Sequence, residues 1–368
     1  MNKRVLTAEY VRNGHPDKLA DIIADSILDE CLKHDKDSHV ACEVMLAHNK
    51  CFISGEITTK AKVDYIEIAK KTISDIGYDA EKVEYETRIH SQSADINQAV
   101  SKQDIGAGDQ GIVYGYATDE TLDLMPLPYE LAHRICERLD KGIIKGIRPD
   151  GKCLVSVSYD GDRFGGIDTI VISVQHDEDK TLNEIERDIR EQVIDRIFSE
   201  YDLTDTKILI NPSGRFVLGG FEADTGLTGR KLQVDSYGSI AHHGGGAFSG
   251  KDASKVDRSG AYLARYIAKN IVGAGLAEKC EVALTYAIGV SKPTNIDINT
   301  FYTGAYNEHL IKQAVEKVFD LSVGGTIENL GLKEPIFTAT AKNGHFGNEE
   351  YSWEKTDKAE ELKKTILD

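Results

Sequence analysis

One pattern, repeated three times, constrains this chain more than any other feature. An amphipathic helix, two strand-like runs and a second helix follow one another from Asp17, again from Tyr129 and again from Arg258. In the first copy Leu19, Ile22, Ile23, Ile27, Leu28 and Leu32 recur at helical spacing through Asp17–Lys33. Pro16 suits the first turn, where a missing N–H costs nothing. Val40–Ala47 and Cys51–Ile57 read as strands about a His48-Asn49-Lys50 turn. Val63, Ile66, Ile73 and Ile76 mark a second helix that stops at Gly77. The second copy has a helix at Tyr129–Leu139, strands at Leu154–Tyr159 and Thr169–Gln175, and a helix at Leu182–Phe198 with Thr181 as its cap. The third runs through Arg258–Ile271, Val282–Ile288, Ile296–Phe301 and Glu308–Phe319. A repeat of roughly 110–130 residues has the size of a domain and is too long for a solenoid. The expected fold class is therefore α+β: three similar α/β-sandwich-like units, each a sheet with helices on one face, near 1–99, 100–225 and 226–368. Glu81–Gln110 shows no clear period.

Composition narrows the function. The net charge of −17 argues against a protein that offers a basic surface to nucleic acid or to an anionic membrane. No apolar run approaches the ~18–20 residues of a membrane helix, and Met1–Tyr10 lacks the apolar segment of a signal peptide. The six cysteines include no CxxC pair and are too sparse for a disulfide scaffold. They read as buried thiols in a reducing, cytoplasmic setting.

Against this acidic background, Thr225–Ala277 carries seven Lys/Arg and only three Asp. A solvated face and a phosphate-binding surface both accommodate that bias, and Gly244-Gly245-Gly246 and Gly250 beside the lysines favour the second. Gly245–Lys251 fits G-x-x-x-x-G-K, yet Asp252 stands where Ser or Thr would hold a metal, and no buried strand precedes it. Gly106–Gly111 fits G-x-G-x-x-G but leads into strand-like Ile112–Tyr116 instead of a helix. It is either a turn feeding a strand or a place where Asp109 and Gln110 meet a polar ligand.

Carboxylates stand out in the first copy. A hairpin turn centred on Asn49-Lys50 would set Glu43 opposite Glu56 and Met45 opposite Ser54, with Cys42, Val44, Leu46, Ile53 and Ile57 on the apolar face. Opposed like charges are either screened by water or joined by a cation. His15-Pro16-Asp17-Lys18 opens a helix. It offers either an ordinary capping acid with an exposed lysine, or amides, His and Lys for a phosphate with Asp17 for a metal.

Taken together, these segments closely resemble the S-adenosylmethionine synthetase family. The resemblance is carried by Gly14–Lys18, Ala41–Glu43, Gly55–Thr59, Asp95–Gln98, Gly106–Thr118, Arg148–Lys152, Gly214–Phe216, Gly226–Lys231, His243–Asp257, Gly344–Gly347 and Trp353–Asp357. It implies three interlaced units with pseudo-threefold symmetry and the synthesis of S-adenosylmethionine from ATP and L-methionine. It also implies magnesium (Mg2+) and potassium (K+) as cofactors, and a homodimer, or a tetramer of paired dimers, with active sites between subunits. By resemblance, His15 aids departure of the polyphosphate, and Lys18, Lys152, Arg230, Lys231 and Lys251 cradle it. Asp17 and Asp257 match Mg2+ ligands and Glu43 the K+ ligand. Glu56, Gln98, Asp109, Asp150, Phe216, Asp224, Ala247 and Lys255 match positions around methionine and the nucleotide.

The chain departs from the family at Tyr10-Val11-Arg12-Asn13, and looks short at Tyr78–Gln92 and at Ala99–Ile105, where the family has a mobile lid. A P-loop ATPase and a catalytically reduced regulatory subunit are the alternatives. The first would release phosphate without methionine. The second is suggested by the altered lead-in to His15.

Overall fold

The computed structural model describes residues 3–91 and 105–367. Its strands are β1 (Lys3–Val11), β2 (His39–Ala47), β3 (Lys50–Thr58), β4 (Glu84–His90), β5 (Gly111–Thr118), β6 (Ile147–Asp160), β7 (Arg163–His176), β8 (Lys207–Ile210), β9 (Gly226–Leu227), β10 (Lys279–Tyr286) and β11 (Asn295–Asn299). The main helices are α1 (Pro16–His34), α2 (Tyr65–Ile76), α3 (Leu127–Asp140), α4 (Leu182–Ile189), α5 (Val256–Gly273) and α6 (Glu308–Val318). Helix α4 is capped by Thr181, whose hydroxyl takes the Glu184 amide while the Glu184 carboxylate takes the Thr181 amide. A π-turn at Arg190–Ile194 then carries the chain into Asp195–Ile197, so the single helix expected over Leu182–Phe198 is interrupted.

Each repeat contributes a hairpin, and the strand that leads each repeat pairs elsewhere. The sheets run β1-β6-β7-β8, β11-β10-β5 and β4-β3-β2-β9. Leading strand β1 thus joins the second hairpin, β5 the third and β9 the first, each antiparallel. This cyclic exchange is the interlacing of an α+β fold with three similar parts. The helix after each leading strand covers the sheet that holds its own repeat's hairpin: α1 lies on β2 and β9, α3 on β1 and β6, and α5 on β5 and β10. Helix α5 is buried on nearly every side, whereas a surface helix would keep one polar face. All six cysteines are free and buried. No helix among the described residues is long and apolar enough to cross a membrane.

The register of the first hairpin differs from the expected one. Glu43 faces Ser54, Ala41 faces Glu56 and Met45 faces Phe52. The turn residues are His48 and Asn49, both left-handed with φ of 47° and 60°, the geometry of a tight two-residue hairpin turn in which Asn is well tolerated. Glu43 and Glu56 are therefore diagonal neighbours and not an opposed pair. The slip is two residues, so the faces are unchanged: Cys42, Val44, Leu46, Ile53 and Ile57 are all buried. The segment without a clear period holds β4, an edge strand parallel to β3 and nowhere deeply buried. Gln98 and most of Ala99–Ile105 lie outside the described residues.

Candidate active site

The site is built on the N-terminus of α1. His15 is the N-cap residue, extended at φ −61° and ψ 134°, and its Nδ1 accepts the Asp17 amide at 3.2 Å. An accepting Nδ1 leaves the ring proton on Nε2. Burial, reinforced by Lys231 and Lys152 and opposed by Asp17 and Asp224, pulls the imidazole down to about 4. His15 is therefore a neutral hydrogen-bond donor near pH 7. The same interactions bring Lys152, on the surface of β6, and exposed Asp224 into its surroundings.

Asp17 is buried, yet remains ionised. Burial opposes the charge, but the Lys231 ammonium, the Leu227 amide at 2.9 Å and further attraction to Lys231 and His15 hold the carboxyl below its ordinary range. Arg230 Nε lies 3.5 Å from the same carboxylate. Asp150 accepts the Gly220 amide at 2.7 Å; burial raises its carboxyl, and this amide and that of Gly151 oppose the rise. Gly220 has φ 62° and lies under the Tyr78 ring, which stacks edge-on to Phe221. Tyr78 in turn donates to the Gly14 carbonyl at 2.7 Å, so the segment after α2 touches the turn before His15. Phe216 is strapped by His176, which accepts its amide at 3.0 Å and donates its own amide to its carbonyl at 2.9 Å.

A second group surrounds the triple-glycine loop. Lys251 Nζ donates to Asp257 at 2.7 Å. Gly246 abuts Asp257 so closely that a Cβ there would lie 1.9 Å from the carboxylate carbon. Burial raises the Glu43 carboxyl, and nearby Lys251 opposes the rise. Lys255 pairs with Asp252, which also accepts the Val40 and Ser254 amides. Position 252 is thus a structural carboxylate, and α5 starts only at Val256, so the G-x-x-x-x-G-K match is not a P-loop. The G-x-G-x-x-G segment is tied to Gly289 and Val290 through Ala107 and feeds β5, which excludes a dinucleotide fingerprint there. Asp109 is exposed at its end, and Glu56 faces His90 at 3.6 Å.

The two groups abut where Gly229, with φ 79°, packs on Ala247. Among the described residues, no hydrogen bond or ion pair joins a side chain of one group to a side chain of the other. Asp17 and Asp257 each face a separate lysine, and no three described His, Cys, Asp or Glu residues form a metal-binding cluster.

Asp21, Asp25 and Asp29 escaped the sequence reading, as did the structural roles of Asp17, Arg12 and Lys18. Asp17, Asp21, Asp25 and Asp29 recur every fourth residue along α1. They accept the amides of Leu227, Gly229, Gly250 and both Phe337 and Thr338. The spacing puts all four on one helix face, a signal visible in the sequence. Arg12, in the lead-in to His15, is buried, pairs with Asp140 at 2.7 Å and donates to the Arg148 and Leu139 carbonyls. Asp140 also accepts the Asn13 amide. Arg12 and Asn13 therefore bolt the turn before His15 to the end of α3. Lys18 lies in the interior and pairs with Asp21 and Asp235.

The chain matches the N-terminal, central and C-terminal domains of S-adenosylmethionine synthetase over residues 3–104, 104–216 and 218–355. The S-adenosylmethionine synthases of two Staphylococcus epidermidis strains, RP62A and ATCC 12228, are each 50% identical to it over 393 aligned residues, spanning 99% of this chain and 98% of theirs. With all three domains matched in order and half of the residues identical almost end to end, the chain belongs to the S-adenosylmethionine synthetase family.

Proposed function

We propose that this protein is a methionine adenosyltransferase: it joins the adenosyl group of ATP to the sulfur of L-methionine. A sulfur lone pair attacks C5′ of the ribose, the C5′–O5′ bond breaks, and its electrons leave with tripolyphosphate, which is then hydrolysed to pyrophosphate and phosphate. The thioether carries no proton, so no base is required. The protein must align sulfur with C5′ and stabilise charge growing on the departing oxygens.

The observation that carries this reading is a neutral His15 at the start of a helix, flanked by Lys152, Lys231 and Asp17. Its Nε2–H would donate to the leaving oxygen, the helix terminus would favour the anion, and Lys152, Arg230, Lys231 and Lys251 would neutralise the chain of phosphates. Asp224, Asp109 and Glu56 would supply negative charge beside the nascent sulfonium. Phe216, Asp150, Ala247 and Lys255 would border the nucleotide.

Enzymes of this family use divalent and monovalent metal ions. The donor set suits them: Asp17 and Asp257 are carboxylates, and Mg2+ needs only one or two such groups when substrate phosphates complete its shell. We assign Mg2+ to these two, once their lysines turn to phosphate, and K+ to Glu43. Bound there, the ions would neutralise the leaving chain. The His15 and Lys251 groups are assigned to two half-sites that complete one another across a cytoplasmic homodimer. The unit limits are taken as 1–99, 100–225 and 226–368, each unit lending its leading strand to another.

The test is direct. Purified protein incubated with ATP, methionine, Mg2+ and K+ should yield S-adenosylmethionine, pyrophosphate and phosphate in equal amounts. Phosphate release that does not depend on methionine, with no sulfonium product, would refute the assignment.

A further inference from the structure

We propose that Lys18 is a positioning residue of the polyphosphate cradle and not one of its ligands; the inference rests on the activity proposed above. A lysine that binds phosphate must present its ammonium to the open cleft. Lys18 is only 2% exposed, and its ammonium is enclosed by two carboxylates that are themselves fully buried. It donates to Asp235 and lies 3.3 Å from Asp21.

Those two carboxylates hold the segment that bears Arg230 and Lys231. Asp21 accepts the Gly229 amide at 2.8 Å, just before the two cations. Asp235 sits just after them, on a one-turn helix at Leu232–Asp235 whose last amide returns to the Lys231 carbonyl at 2.8 Å. Lys18 therefore grips the segment on both sides of Arg230-Lys231. The next residue toward the helix N-terminus, Asp17, faces the cations themselves. One turn of α1 supplies the whole staple: Asp17 receives the cations, Lys18 anchors the far end and Asp21 the near end. Removal of the ammonium would leave two buried acids around an uncompensated space, and the cheapest relief would be movement of Asp235, carrying Lys231 away from Asp17. The test must therefore separate loss of a ligand from loss of a support.

The experiment compares Lys18→Met, Asp235→Asn and the double variant with wild type for kcat, KM for ATP and binding of inorganic tripolyphosphate. Lys18→Met should lower kcat/KM by about 100-fold or more, because a buried charge loses its partner. Adding Asp235→Asn removes the stranded acid and should bring the value back to within about tenfold of wild type, with tripolyphosphate affinity within about threefold. A ligand role predicts no recovery and a weakened tripolyphosphate site in both lysine variants, and that result would overturn the inference. If Lys18→Met does not fold, Asp235→Asn decides. It keeps the ammonium, so a drop in kcat of about tenfold supports positioning and wild-type kinetics refute it. Wild type that makes no S-adenosylmethionine would remove the functional assignment instead, and tripolyphosphate binding would then decide the role of Lys18.

Discussion

Two helices of this protein begin alike and differ in what they do with the likeness. Helix α1 starts His15-Pro16-Asp17-Lys18 and α5 starts Lys255-Val256-Asp257-Arg258. In each, the Asp faces a lysine from a neighbouring loop, Lys231 or Lys251. In each, the next cation turns inward to a carboxylate of α1. The difference lies in how fully those inner cations are satisfied. Arg258 forks onto Asp25 at 2.7 and 2.8 Å, bonds Tyr262, Thr340 and the Lys251 carbonyl, and stacks over Phe337 at 4.2 Å. Lys18 is a point charge between two acids, one of which, Asp21, is pushed up to about 7 by burial despite the attraction of Lys18. A planar fork holds its surroundings rigidly, whereas a shared ammonium leaves a softer joint. The equivalent start in the middle repeat, Pro126-Leu127-Pro128-Tyr129-Glu130, has neither feature: Tyr129 is buried and Glu130 pairs with Arg134 one turn along the same helix. An Asp facing a loop lysine, followed by an inward cation, thus occurs at two of three similar helix starts.

The largest effect should come from the rigid joint. Arg258→Ala strands Asp25 in the core and should cost about 3–5 kcal/mol in urea unfolding, the penalty of an unpaired buried charge. A loss below about 1 kcal/mol would mean that the two starts are equally soft.

At the first start, His15→Asn keeps a polar cap and should lower the rate of sulfonium formation by about 10–100-fold while nucleotide binding changes little. The pH dependence sharpens this. The His15 ring is lowered to about 4 in the folded protein, so it is neutral above that value. Its contribution to rate should be flat from about pH 6 to 8 and fail only in acid. The linked stability term has the same direction: the unfolded ring takes up its proton first as pH falls, so this contribution is present above about 6.5 and is lost toward about 4. A rate that falls as the pH drops through 6.5 would show a ring that titrates normally and would remove the neutral-donor assignment.

The smallest effect belongs to the middle repeat. Glu130→Gln should change stability by about 0–1 kcal/mol and leave turnover at the wild-type value, since Arg134 is half exposed and the pair lies outside the site. A large loss of turnover would mean that the third start also serves the reaction.

Much of this arrangement is legible in the residues. Helical spacing announced α1, α3 and α5, and the Pro16-Asp17 start announced a polar helix terminus. The hairpin faces were legible because side chains alternate, but the pairing was not: it depends on which two turn residues take positive φ, and His48-Asn49 is a weak signal for that. Leading strands are harder still, because β9 is only two residues long and exists through its pairing with β2. Lys18 illustrates the limit at the site. Its neighbours in sequence, His15 and Asp17, are polar groups of the helix terminus, and nothing local distinguishes a lysine that reaches solvent from one that reaches Asp235, 217 residues away.

The sequence by itself determined the repeating helix-and-hairpin units, the buried face of the first hairpin and the residue types available for phosphate and metal, since periodicity and side-chain chemistry are local properties. Tertiary structure alone decided which hairpin each leading strand joins, which lysines stay open to a ligand and which are sealed inside. Those outcomes depend on burial and charge pairing between segments hundreds of residues apart, where a partner's position, and not the residue's own chemistry, sets whether its charge is free or spent.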